Sequence, residues 1–123
     1  MIVVDETISD PRILEGIAKW YPGSVVSIKE FRPRGRVLDE EIPEYLLQQR
    51  QPTFVTINYD DFAPHLFLHQ AYCIVRFKLP QGQSLFLPYL LREVLRNKQF
   101  NTKAKRMGTV ISWMPTSLSF VEV

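Results

Sequence analysis

Five acids in this chain, Asp5, Asp39, Glu40, Asp60 and Asp61, sit where strands end or helices begin. The stretch Thr53-Phe54-Val55-Thr56-Ile57-Asn58-Tyr59-Asp60-Asp61-Phe62 starts as a β-branched and aromatic run, which reads as a buried strand, and ends in two adjacent carboxylates. Asp5 closes the apolar run Ile2-Val3-Val4, where a carboxylate has little structural reason to be. Gathered carboxylates repel, and each raises the other's pKa unless a cation lies among them. Oxygen-only ligands suit Mg²⁺ or Mn²⁺ rather than zinc. A divalent ion in such a cluster can activate water and stabilise the leaving oxygen in phosphodiester cleavage.

Each acid also has a plainer role. Asp39 is a good helix cap, Glu40 and Glu41 suit a first helical turn, and Asp60-Asp61 could start a turn. Glu6, beside Asp5, should point the other way along the strand.

The bases are as unevenly spread as the acids. Residues 1–62 hold 7 Lys and Arg against 11 Asp and Glu, whereas residues 63–123 hold 8 against 2. Such asymmetry suits a cation site in one half and a polyanion contact in the other, or two solvated faces of different sign. Arg32, Arg34 and Arg36 alternate through a loop containing Pro33 and Gly35, and Lys103, Lys105 and Arg106 form a second basic stretch. These six are the nucleic-acid-binding candidates, since phosphate contacts accumulate. Phe31 could stack on a base or merely anchor its loop.

The elements that must position these groups alternate. Residues 1–5 read as a strand. Ser9-Asp10-Pro11 is a helix start, with a capping side chain and then proline, and Pro22-Gly23 is its stop. Residues 24–28 form a second strand, and the segment from Asp39 to Gln51 a second helix. The third strand spans 53–58. Phe62 to His69 holds one or two helical turns, and 71–77 is a fourth strand. Ser84 caps a helix running to Asn97-Lys98. Met107 to Met114 and Leu118 to Val123 are β runs joined by Pro115-Thr116-Ser117, a hairpin signal. Alternation of this kind implies right-handed crossovers, a mainly parallel sheet and one shared rim for the strands' C-terminal ends. Four or five carboxylates are expected on that rim.

At 123 residues the chain fits one domain, 1–123, and 46% apolar with 23% charged residues is a globular composition. The single cysteine, Cys73, excludes an intrachain disulfide and suits a reduced, cytoplasmic setting. No apolar run reaches membrane-spanning length, and Met1 to Asp5 reads as a strand start rather than a signal peptide. His65 and His69 are spaced for one helical face but lack the intervening Glu of a zinc protease. There is no G-x-S-x-G elbow and no glycine-rich phosphate loop, and Cys73 in mid-strand reads as core.

Taken in order, three segments resemble the small PIN-like proteins of prokaryotes, whose members are described as nucleases or toxin-like proteins. The segments are Val3-Val4-Asp5-Glu6, Gly35 leading to Asp39-Glu40-Glu41-Ile42, and Thr56 to Phe62; the likeness covers about residues 1–78. The resemblance implies an α/β PIN-like three-layer sandwich and Mg²⁺- or Mn²⁺-dependent cleavage of RNA. By position, Asp5 is then the first ligand, Asp39 or Glu40 the mid-chain acid, and Asp60 and Asp61 the last. Asp5, Asp39, Asp60 and Asp61 are the catalytic set this implies, and Asp5, Glu40, Asp60 and Asp61 the ligand set. The family's Thr-x-Asp-x-Asp-Phe is met here with one extra residue, and Asn58 or Tyr59 stands near the first acid's place.

The leading expectation is thus a metal-dependent ribonuclease, a candidate toxin with an antitoxin-like protein partner. The alternative is a degenerate, non-catalytic PIN-like protein that binds RNA or a partner protein. A receiver-like signalling domain also gathers acids at strand ends, but no Thr-then-Lys pair follows Asp61 at strand ends. The final strand, from Leu118, could form a homodimer edge, although closing the chain's own sheet is the favoured reading.

Overall fold

The computed structural model describes residues 1–123. Six strands form one sheet in the order β2-β1-β3-β4-β5-β6: β1 (Ile2–Val4), β2 (Val25–Ser27), β3 (Thr53–Thr56), β4 (Cys73–Phe77), β5 (Thr109–Met114) and β6 (Ser117–Glu122). The first five are mutually parallel, and β6 returns antiparallel to β5 as the second arm of the C-terminal hairpin. The last strand therefore extends this chain's own sheet. The helices are α1 (Pro11–Ala18), α2 (Ile42–Leu47), α3 (Pro64–Phe67), α4 (Leu87–Arg96) and α5 (Lys103–Arg106). None is long and apolar enough to cross a membrane.

The central strands are β-branched and apolar on both faces because helices cover both. Side chains alternate across the sheet. Ile2, Val4, Val55, Cys73, Val75, Phe77 and Ile111 enter one core with Ile13 and Ile17 of α1 and Leu87, Leu91, Val94 and Leu95 of α4. Val3, Phe54, Ile74 and Val110 enter the other core with Ile42 and Leu46 of α2, Phe62, and Phe67 of α3. The result is a mainly parallel sheet between two helical layers. Cys73 is wholly buried, and burial pushes its thiol up to about 11, which makes it inert core.

Local chemistry sets most boundaries. Asp10 caps α1 by accepting from the Arg12 N–H at 2.9 Å, with Pro11 in the first turn. Two expected caps are corrected. Asp39 lies inside a 3₁₀ turn, Asp39–Glu41, whose N-cap is Leu38, and Glu41 rather than Asp39 accepts the Leu38 N–H. Ser84 likewise lies inside a turn, Ser84–Phe86, whose N-cap is Gln83, and α4 starts only at Leu87. β3 ends at Thr56, two residues earlier than its composition suggests. α5 has no counterpart among the elements expected from the sequence.

The crossovers also differ from expectation. The connections β2 to β3 and β3 to β4 step across the sheet in one direction over the α2/α3 face. The connection β1 to β2 steps the other way over the opposite face, so these three share one hand. The connection β4 to β5 steps with the first two but over the α1/α4 face. It has the opposite hand, so the four cannot all be right-handed. The usual preference arises where a strand feeds a helix directly, and here the segment between Phe77 and Ser84 carries the chain to the other layer before α4 begins.

On that layer α1 and α4 approach closely at Gly16. A Cβ built there would lie 2.7 Å from Pro88 Cγ and 3.0 Å from its Cβ. Overpacking against a rigid ring costs about 1–3 kcal/mol, whereas alanine gains about 1 kcal/mol in helix propensity. Gly16→Ala is therefore expected to lower thermal stability by about 1 kcal/mol. Adding Pro88→Ala should restore it, as read by paired thermal melts.

Candidate functional site

In an open α/β sheet, ligands gather outside the C-terminal strand ends where the chain reverses its direction of travel across the sheet. The order β2-β1-β3-β4 places that reversal between β1 and β3. Asp5 leaves β1 there, and Ile57 to Asp61 leave β3 beside it. The Asp5 N–H donates to Val55 O at 2.9 Å, which extends the β1–β3 ladder by one residue. Asp5 is only 2% exposed.

No cation offsets that burial, since no Lys or Arg forms an ion pair with Asp5. Hydroxyls do so instead. Thr56 Oγ1 donates to Asp5 Oδ2 at 2.6 Å, and Thr7 Oγ1 donates to the same oxygen at 3.1 Å. Burial raises the carboxyl above its ordinary range, and the hydrogen bonds from Thr56, Thr7 and nearby backbone pull it down less than burial pushes it up. The Asp5 carboxyl thus holds its proton more tightly than an ordinary aspartate.

Asp39 comes from the turn before α2. Since it is not a cap, its carboxyl has no hydrogen-bonding task in the fold. Partial burial raises its pKa first, and the charges of Asp5 and Asp61 raise it further; Arg36 opposes them and Glu40 adds to them. Asp39 therefore lies within the field of two acids from two other connections. Asp61 is exposed and accepts from Asn58 Nδ2 at 2.7 Å. Asp60 and Glu40 are exposed as well. In this conformation no three His, Cys, Asp or Glu side chains are grouped to hold a metal ion.

The basic candidates divide between the two ends of the sheet. The loop that carries Arg32, Arg34 and Arg36 follows β2 on the acidic rim. It is fastened by Lys29, whose Nζ donates to Gly35 O and lies 3.7 Å from the Glu6 carboxylate. Phe31 stacks on Tyr45, centroids 6.2 Å apart, and so anchors the loop. Arg32 is ion-paired with Glu41. Arg34 and Arg36 are exposed and form no ion pair.

The other basic stretch does not join them. Lys103, Lys105 and Arg106 form α5, which precedes β5 and lies at the N-terminal end of the strands, about 15 Å of strand away. Arg106 is a correction: it is 4% exposed, with Nε donating to Thr53 Oγ1 at 2.8 Å and Nη1 to Phe100 O at 3.1 Å. Its guanidinium ties β3 to the α4–α5 connection and is not offered to a polyanion. Lys103 and Lys105 stay exposed but on the wrong rim to share a backbone with the acids. The histidine pair is corrected too. α3 stops at Phe67, so His65 and His69 share no helix, and His69 Nδ1 accepts the Ala71 N–H at 3.0 Å.

Two residues that the sequence did not single out stand on the acidic rim. Arg76 and Lys78 lie at the C-terminal end of β4, both beside the Tyr59 ring, with Arg76 Cζ 3.9 Å and Lys78 Nζ 5.6 Å from its centroid. The usable signal was alternation: Ile74, Arg76 and Lys78 recur every second residue, which puts both cations on one face of the sheet.

Because the folded protein raises the Asp5 pKa, it binds this proton more tightly than the unfolded chain. That contribution to stability is present at low pH and is lost as pH rises through the folded-state value. Asp5→Asn is therefore expected to stabilise the fold at pH 7 by about 1 kcal/mol, a rise of about 4 °C in Tm. The gain should vanish near pH 3, as read by thermal melts at both values.

A scan against protein-family models finds no match to this chain, and searches of curated proteins and of solved structures find none either.

Proposed function

We propose that this chain is a PIN-like ribonuclease that uses Mg²⁺ or Mn²⁺ at the crevice between β1 and β3. The observation that carries the reading is that Asp39, beside the crevice between β1 and β3, lies in the field of Asp5 and Asp61, and none of the three is ion-paired with a cation. Leaving acids together unpaired costs stability, and two bases on the same rim, Arg32 and Arg76, are bonded to other groups.

The donor set fits a hard divalent ion, since every candidate ligand is a carboxylate oxygen. Asp5 would be the fixed ligand, oriented by Thr56 and Thr7. Asp39 and Asp61, on turns, would close on it, with Glu40 and Asp60 as neighbours. A divalent ion bound there supplies charge neutralisation at a phosphate and an acidified water. The chain's own part is to hold Asp5 rigidly, to leave the carboxylates free of ion pairs, and to draw the phosphate backbone in with Arg34 and Arg36.

A second reading, a non-catalytic PIN-like RNA binder, is favoured by one observation: no three ligating side chains stand grouped as they are. Incubating the protein with single-stranded RNA in Mn²⁺ and in Mg²⁺, beside Asp5→Asn and Asp61→Asn, separates the two. The nuclease reading expects cleavage by the parent protein that falls at least about 100-fold in Asp5→Asn. Equal cleavage by both proteins, or none by either with salt-sensitive RNA binding retained, leaves the binder.

A further inference from the structure

At the level of Asp5 a row of polar residues runs across the α2/α3 face of the sheet. Asp5 lies beside Thr56, Thr56 pairs with Arg76, Arg76 with Ser112, and Ser112 with Ser119. Strand spacing puts the Asp5 and Arg76 Cα atoms about 10 Å apart. A guanidinium so near unpaired carboxylates would ordinarily turn and neutralise them. Arg76 is held away from them instead: Nε donates to Ser112 Oγ at 2.7 Å, and Nη1 to Tyr59 O at 3.0 Å. It forms no ion pair, and neither does Lys78, two residues on. The Arg76 guanidinium lies over one face of the half-buried Tyr59 ring, on the turn that ends in Asp61, and the Lys78 ammonium reaches over the same ring from further off.

We infer that Tyr59, Arg76 and Lys78 form a nucleotide subsite for single-stranded RNA, with a base stacking on the face of Tyr59 that Arg76 does not cover and the two cations meeting the adjoining phosphate. The inference rests on the RNA-cleaving reading of the neighbouring acids for the identity of the polymer. An aromatic ring can take a base only where the base is unstacked, so single strands fit and a paired helix does not. Cations without carboxylate partners suit phosphate oxygens. Arg76, locked by Ser112 and the Tyr59 carbonyl, would present its remaining N–H groups in a fixed direction, and Lys78, exposed and unbonded, would follow the backbone.

The test measures binding apart from cleavage. A labelled single-stranded RNA of about ten nucleotides and its duplex are titrated with the protein in EDTA at about 50 mM salt, and anisotropy is read. The single strand should bind more tightly than the duplex. Tyr59→Ala should weaken single-strand binding about ten-fold and leave duplex binding unchanged, while Tyr59→Phe binds like the parent. Lys78→Ala should reduce the salt slope by about 0.7. Arg76→Ala should weaken binding about ten-fold; since it also removes the bonds to Ser112 and Tyr59, the variants at Tyr59 and Lys78, which keep those bonds, decide the matter if it fails to fold. Unchanged single-strand affinity in Tyr59→Ala and Lys78→Ala, or no binding by the parent protein, overturns the subsite. Subsite-dependent binding without any cleavage under Mn²⁺ sinks the nuclease reading alone, and Mn²⁺-dependent cleavage indifferent to all three residues sinks the subsite alone.

Discussion

A carboxylate buried without a cation governs the rest of this molecule. Asp5 is carried by the end of β1 into a place where water is nearly excluded, and what holds it is the Thr56 hydroxyl at 2.6 Å. A hydrogen bond to a charged group contributes about 1.5–3 kcal/mol, whereas taking a carboxylate out of water costs several kcal/mol. The hydroxyls therefore orient the acid without fully stabilising its charge, and its raised pKa is the visible residue of that imbalance. A fold that wanted only stability would place an aliphatic side chain there, as it does at Val3 one alternation earlier.

Around Asp5 the sheet arranges charge by register. Thr56 faces Asp5 because β1 and β3 are parallel neighbours with Val4 opposite Val55. Arg76 and Ser112 follow on the same line by the pairing of β3 with β4 and β4 with β5. Negative groups end up at the β1–β3 crevice and positive ones at the end of β4, joined by the Tyr59 turn. The opposite end of the sheet has its own charge economy, in which buried Arg106 binds Thr53 and the Phe100 carbonyl to fasten α5 under β3. Basic residues that look alike along the chain thus sit at the open rim at one end of the sheet and are buried as structural ties at the other.

Much of this was legible in the sequence, and the failures share a physical cause. The strands were readable because central parallel strands are continuously apolar, and α1 because Asp10-Pro11 and Pro22-Gly23 bracket an amphipathic run. Asp5 stood out because a carboxylate ends an otherwise apolar strand. Thr56 did not, since a threonine within a β-branched run looks like strand propensity and its hydroxyl matters only once β1 lies beside it. Lys103, Lys105 and Arg106 look like partners of the arginine loop because composition counts charge along the polymer, whereas the rim a residue reaches depends on whether it leaves a strand or enters one. Asp39 is of a type that suits a cap, but Leu38 takes the N-cap position of the 3₁₀ turn Asp39–Glu41, which frees the Asp39 carboxyl. The hand of the β4–β5 connection was hidden for a similar reason, as no local pattern says which layer α4 will join.

The central claim is that Asp39 lies in the field of Asp5 and Asp61. Carbon-detected NMR titration of the side-chain carboxyls tests it most directly, in the parent protein and in a variant with Asp61 replaced by asparagine. The account predicts that Asp39 and Asp5 both titrate above the ordinary aspartate range and that Asp39 moves down when Asp61 loses its charge. Ordinary titration of Asp39, unmoved by neutralising Asp61, would contradict it.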